Sequence, residues 1–361
     1  MGKIRTGTAF IILSGLAVVI SVFGVFKIQN AKREFAAAEE NMPESAISTY
    51  MTKLKNKDYK GIFADAQSIE PSMNSEEAYT KHLEEVFKDV DLDRLEYAGK
   101  DNEDGSKSYQ VFANGQLITS LKLVQADQGK WLAGTIFVGD NDYTVEVPQG
   151  LPITVNGIEA DHAYIKETGI PAGNFAGLDD QKAAPKVDVY VFHNLLSEPQ
   201  IAVKGQEGYG TLHDVLDNTI YVGKISSNAD LAQTMIDDAL ICAKFPAKEA
   251  SVGEVGAISI RGSDWWRRIS GMQNNWFSSH TISNFSNEQA LHIIQQSDDT
   301  MIGYVTFDYY AKSTDGTQER TWHGGYQMTF LKENGQWKIA GMAIDNELNP
   351  ARSDYFEKLN S

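Results

Sequence analysis

The sequence predicts an α+β protein with an N-terminal transmembrane helix and two helix-then-meander units flanking a small all-β module. Three observations carry this. An uncharged run of 19 residues stands at 8–26 (TAFIILSGLAVVISVFGVF). Helical stripes give way to strand-like runs twice along the chain. Between those two stretches lies a segment of pure period-two alternation.

Composition sets the frame. At 361 residues the chain is long enough for two or three domains. With 42% hydrophobic and 22% charged residues it can bury a core. Net charge is −17, and the first 33 residues hold five bases and no acid, which leaves 27 bases against 49 acids in the remainder. Such a body lacks the basic footprint that phosphate contacts need, so nucleic acid is excluded as the main partner. A single cysteine, Cys242, excludes an intrachain disulfide and any multi-cysteine metal site.

The run at 8–26 is long enough for the roughly 30 Å of bilayer hydrocarbon. Ala36-Ala37-Ala38 has the look of a cleavage site, but Lys27, Lys32 and Arg33 separate it from the run. The run also exceeds the roughly 7–15 apolar residues of a signal peptide. We therefore expect a retained anchor, a short cytoplasmic tail at 1–7 and a charged stalk at 27–43. Bases flank the run on both sides, so charge alone does not orient it. The acidic body favours an extracytoplasmic placement.

The first α+β unit is expected at 44–139. Ile47, Tyr50, Met51 and Leu54 make one helical stripe. Ser75-Glu76-Glu77 opens a second helix with an acidic first turn. Strands are expected at 92–98, 108–113, 117–125 and 130–137, and Asn114-Gly115 signals a hairpin. The β module is expected at 140–226, with Asn156-Gly157 as another hairpin signal and no long helix.

The second α+β unit is expected at 227–361. Ser227 with Asp230 suggests a capped helix to about Phe245, with Leu231, Met235, Ala239 and Cys242 on its stripe. Ser263-Asp264 opens another, whose stripe is Trp265, Ile269, Met272 and Trp276. A short helix is expected at 287–296, and strands at 301–312, 320–331 and 337–344. The segments LVQADQGKWLAGTIF and FLKENGQWKIAGMAI close the two units alike, with Trp131 and Trp337 in corresponding places.

These units resemble NTF2-like cone domains. The order of anchor, cone, Ig-like β module opening VEVPQGLPITVNG, and cone is similar to the teicoplanin-resistance-associated membrane proteins of Gram-positive bacteria. The chain departs from that family in having no cytoplasmic zinc ribbon and one β module. The resemblance implies a place in the cell membrane as a single-pass protein and an architecture, not a resistance phenotype.

NTF2-like cones can enclose a catalytic cavity with an Asp or His base. The residues here that could serve are Asp264, His280, Asp308, Tyr310 and His323. Each has a plainer reading. Asp264 suits a helix N-terminus and His280 a helix C-terminus. Asp308 and Tyr310 share one face of a strand, which can be solvated. His323 sits beside Gly324-Gly325, where a bulge is the simple cause. Trp266, Arg267 and Arg268 form the candidate binding surface, because Trp266 lies off the apolar stripe.

No nucleotide-binding loop, HExxH, GxSxG or metal-ligand spacing is present, so neither a cofactor nor a metal is expected. The leading expectation is a non-enzymatic, membrane-anchored binding or scaffold protein with an envelope protein or cell-wall partner. The alternative is a cavity enzyme of isomerase, dehydratase or hydrolase type. Convergent ionisable groups in the C-terminal cone favour the enzyme, and an apolar interior favours binding.

Overall fold

The structure, a computed structural model, describes residues 42–101, 107–126, 130–214, 217–272 and 279–352. The run at 8–26, the tail and most of the stalk lie outside the described residues, as does Trp276. No helix among the described residues is long and apolar enough to cross a membrane. The chain divides into two units, 1–138 and 139–361.

In the first unit α1 (Pro43–Lys55) begins on a proline, whose missing N–H costs nothing at a helix start. It buries Ala46, Ile47, Tyr50 and Leu54 along one stripe. Next comes α2 (Tyr59–Ile69), which the sequence reading missed because Gly61 lies in its first turn and the stripe, Ile62 and Ala66, is short. Asp58 caps it by accepting from Gly61 N at 3.0 Å. In α3 (Glu76–Phe87), capped by Ser75, the buried residues are Tyr79, Leu83 and Phe87.

Four antiparallel strands follow in sequential order: β1 (Leu95–Asp101), β2 (Lys107–Ala113), β3 (Gln116–Gln125) and β4 (Trp131–Thr135). Asn114 and Gly115, at φ 51° and 76°, form the tight turn between β2 and β3 that the dipeptide predicts. The helices pin to β4. Tyr50 Oη meets Thr135 Oγ1 at 2.7 Å, and Tyr79 Oη donates to Thr135 O at 2.7 Å. A side chain at Gly134 would stand 3.1 Å from the Ala66 backbone, so glycine there lets α2 lie close on the sheet.

The second unit opens with β5 (Asn141–Pro148), β6 (Ile153–Val155), β7 (Ile158–Glu159), β8 (Ile165–Pro171), β9 (Lys186–Leu195), β10 (Ile201–Val203), β11 (Tyr209–Asp214) and β12 (Thr219–Ile225). Its helices are α4 (Ala229–Lys244), α5 (Val252–Ala257) and α6 (Asp264–Ser270). The long strands β13 (His280–Ser297), β14 (Thr300–Ser313), β15 (Glu319–Glu333) and β16 (Gln336–Ile344) complete it.

One nine-stranded sheet runs β16-β15-β14-β13-β12-β5-β9-β8, with β11 on β12. The join is short: Lys224 pairs with Gln295 and Ile225 with Ile294. Residues 140–226 and 227–361 thus share a sheet, where the sequence led us to expect a separate β module with a boundary near Ser226.

Two local expectations are corrected. Residues 287–296 belong to β13, not to a helix. Good helix formers such as Glu288, Gln289 and Ala290 yield to pairing with β14, because tertiary context overrides weak local preference. Register shifts break the ladder near Asn287 and His292, both in the left-handed region at φ 57° and 53°. The cap of α4 is Asn228, which accepts from Asp230 N at 2.9 Å, rather than Ser227.

The core lies between α4, α6 and the β14–β16 meander. Met235, Ala239 and Cys242 of α4 meet Trp265 and Ile269 of α6 over Val305, Phe307, Tyr326, Met328, Phe330 and Ile339. Trp265 and Ile269 therefore pack on the meander, as their spacing predicts, but α6 ends at Ser270, short of the helix to Phe277 that the sequence suggested: Met272 lies beyond it and Trp276 is outside the described residues.

Candidate functional site

Parity on β14 sorts the candidates. Phe307 and Tyr309 face the helices, so Asp308 and Tyr310 face the other way. Asp308 is buried there because the chain after β16 folds back over it. His323, directly opposite in register, places Nδ1 2.6 Å from Asp308 Oδ1. Asn287 Nδ2 donates to Asp308 Oδ2 at 2.8 Å, and Asn349 Nδ2 to Oδ1 at 3.3 Å. Burial alone would raise this carboxyl, but the His323, Asn287 and Asn349 donors outweigh it and hold it below the usual carboxylate value.

Tyr310 takes no part in this cluster; its hydroxyl donates to Glu319 at 2.8 Å. The bulge expected at His323 is absent, since β14 and β15 pair in unbroken register from Thr300 to Lys312. The glycines serve close approach instead. A Cβ on Gly324 would stand 2.6 Å from the Phe307 ring, and one on Gly325 2.1 Å from Asp345 O.

On the helix side stands a second cluster. His280 Nε2 lies 2.6 Å from Glu249 Oε1, and Tyr309 Oη donates to the same oxygen at 3.0 Å. Burial pushes the Glu249 carboxyl up, but donors from Ser283, His280 and Tyr309 bring it below its ordinary value. Glu249 and Tyr309 were not singled out from sequence, because partners 31 and 60 residues apart leave no local signal.

A third carboxylate, Asp238, was also missed. It sits on the buried face of α4 among Met235, Ala239 and Cys242. Burial, with Asp237 adjacent, pushes it up to about 7. The spacing could have revealed it, since 238 falls three residues after Met235 and four before Cys242.

The remaining candidates are occupied locally. Asp264 opens α6 and bonds Arg267 at 2.5 Å, and Arg267 also reaches Asp179 at 2.7 Å. Trp266 is half-buried with the Arg261 guanidinium 4.0 Å over its ring. Arg267 and Arg268 are both exposed. No group of three or more potential metal ligands occurs among the described residues.

Beyond the end of β16 the chain that follows takes over the edge of β15: Asp345 N donates to Gly325 O at 2.9 Å and Gly325 N to Asn346 Oδ1 at 3.2 Å. Pairing of the two strands stops at Tyr326 and Ile344. A cavity of about 200 Å³ opens there, lined by Phe307, Tyr309, Trp322 and Tyr326 with His323 and Arg352.

The class these features define is a mixed α+β protein whose second unit packs helices on a large antiparallel meander. No protein-family description matches the chain, and no curated protein does. Two solved structures are similar. One, provisionally described as a scytalone dehydratase from Novosphingobium aromaticivorans, is 17% identical, with 31% of this chain and 78% of that one covered at a TM-score of 0.23. The other is an Ntf2-like protein involved in plasmid conjugation, 9% identical, with 80% and 97% covered at a TM-score of 0.25. Likenesses this distant carry no argument about function.

Proposed function

We propose that the chain is a single-pass, membrane-anchored binding or scaffold protein of the bacterial cell envelope, with its NTF2-like and Ig-like body outside the membrane. Ionisable side chains do converge in the second unit, at Asp308 with His323 and at Glu249 with His280, which taken alone favours the enzyme, but the state of their carboxylates supports binding over catalysis. Asp308 and Glu249, the carboxylates at the two ionisable clusters, are each held ionised by several donors. A general base works best with a value tuned toward the operating pH, and these are moved away from it. Such carboxylates fix the fold and keep their negative charge. The run at 8–26 and the acidic remainder support the tether and the outward placement.

The test is membrane extraction with protease accessibility. The full chain should stay in the membrane pellet at alkaline pH, and protease added to intact protoplasts should remove the body. Release into the soluble fraction, or digestion only after lysis, would overturn the reading.

Asp238 favours the second reading, a cavity enzyme. A buried carboxyl near 7 can give or take a proton at neutral pH. That reading requires a reaction that Asp238→Asn abolishes while folding is retained.

A further inference from the structure

We propose that the cavity where residues 140–226 join residues 227–361 binds one ring of a neutral sugar, with two adjacent hydroxyls held by the Gln296 side chain. This rests on the reading of the chain as a binding protein. Three observations carry it.

The first is place and size. β12 and β13 pair only at Lys224 with Gln295 and at Ile225 with Ile294, and a cavity of about 400 Å³ opens beside that join. Its walls come from the end of β12 and the link to α4, and from the turn between β13 and β14. Tyr209, which begins β11, and Pro148, which ends β5, complete them. The volume lies within the roughly 300–1,000 Å³ of small-molecule sites, which favour such joins.

The second is Gln296. It lines the cavity and is 8% exposed, yet neither Nε2 nor Oε1 has a hydrogen-bond partner among the described residues. The large majority of buried polar side-chain atoms are paired, so an amide open at both ends calls for a partner that brings an acceptor and a donor together. Adjacent hydroxyls on a sugar ring do this. One accepts from Nε2 while its neighbour donates to Oε1. No hydrogen bond holds the amide in place, so it can turn onto a ligand without breaking one.

The third is a lining that is polar but balanced in charge. Of eleven lining residues only Pro148 and Ile225 are apolar. Lys224 and Asp298 offset each other. The N-terminus of α4, capped by Asn228, would draw an anion, but Asp230 in its first turn already answers that dipole. Neither a cation nor an anion is selected. The hydroxyls of Ser226 and Ser227 add further partners for an uncharged, hydroxyl-rich ligand. Tyr209 is half-buried and brings one aromatic ring, a surface that suits the C–H face of a pyranose.

The experiment titrates the full chain in a sugar-free detergent with the methyl glycosides of glucose, galactose and mannose, read by calorimetry and saturation-transfer NMR. At least one should bind saturably. Its 2,3-dideoxy analogue, which has no adjacent free hydroxyls, should bind about tenfold more weakly or worse, because a site built to hydrogen-bond a hydroxyl rejects the ligand lacking it. Glucuronate and glucosamine should bind no more tightly than the neutral glycoside. Gln296→Leu removes both amide groups at similar volume and should weaken binding about tenfold or more. Its thermal midpoint should not fall, since no hydrogen bond within the protein is lost. If that variant does not fold, Gln296→Met takes its place. Absence of saturable binding by all three glycosides, equal binding of the dideoxy analogue, tighter binding of either charged sugar, or full affinity in a folded Gln296 variant would overturn the proposal. If no glycoside binds while the chain is still membrane-held and open to protease outside, the ligand assignment alone falls.

Discussion

His323 and Asp308 face each other across the β14–β15 ladder, with Nδ1 2.6 Å from the carboxylate. The pair ties two strands of the second unit together on the face away from α4. Because Asp308 is 8% exposed, its charge must be matched by donors inside the protein. Asp308→Asn keeps the shape but replaces a charged acceptor by an amide, and should cost about 1–3 kcal/mol. The sign with pH follows from the depressed carboxyl. A native value below the unfolded one stabilises the fold above about pH 4 and loses that contribution as pH falls through the native value. Urea unfolding at pH 7 and pH 3 should show a larger difference between wild type and variant at pH 7 than at pH 3.

Asn349 closes the same cluster from the chain that follows β16. Its Nδ2 donates to Phe307 O at 2.9 Å, Gly324 O at 3.1 Å and Asp308 Oδ1 at 3.3 Å, and its Oδ1 accepts from Ala351 N at 3.0 Å. Asn349→Ala removes one donor from each of these three acceptors and should cost about 1–3 kcal/mol, read as a lower thermal midpoint. Asn346→Ala, which removes one acceptor for Gly325 N at 3.2 Å, should cost less.

Much of this architecture is written locally. Stripes at helical spacing mark α1, α3, α4 and α6, and Asn-Gly marks the β2–β3 turn, because those signals need only a few neighbouring residues. The β13 strand was hidden because its residues favour a helix in isolation, and only β14 decides otherwise. The same holds at the site. Parity alone put Asp308 and Tyr310 on one face, but naming His323 as partner needed the register. That register was within reach: the hairpin closes at Lys312 and Glu319, which sets His323 opposite Asp308. The Glu249, His280 and Tyr309 cluster was not, because three distant segments meet there.

Asp238 should give the opposite pH behaviour to Asp308. Its carboxyl is raised to about 7 in the fold, well above the ordinary 3.8. A raised acid binds its proton more tightly in the native state, so stability declines as pH rises from about 4 to 7 and levels off above. Three units correspond to about 4 kcal/mol as an upper figure. Asp238→Asn removes the buried charge, so it should raise the thermal midpoint at pH 8 and change it little at pH 4. A variant that destabilises equally at both would show that the carboxylate has a partner it needs.

Trp265 and Trp266 are neighbours with different surroundings, and the contrast is measurable. Trp265 is 7% exposed and sits with Ile269 against Val305, Tyr326, Met328 and Ile339 of the meander. Its indole Nε1 is buried without a hydrogen-bond partner among the described residues, so packing holds it rather than a polar contact. Truncating a buried tryptophan to alanine costs about 3–5 kcal/mol through lost burial and the cavity left behind. A domain has only about 5–15 kcal/mol in total, so Trp265→Ala should lower the thermal midpoint sharply. Trp266 is half-buried, with Arg261 stacked on its ring 4.0 Å away. Trp266→Ala removes that stack and part of a packed face, and should cost about half as much or less. Calorimetry on the two variants checks the order. Equal losses would mean that Trp266 belongs to the core as fully as Trp265. If Trp265→Ala left stability unchanged but abolished partner binding, that side chain would be a recognition surface instead.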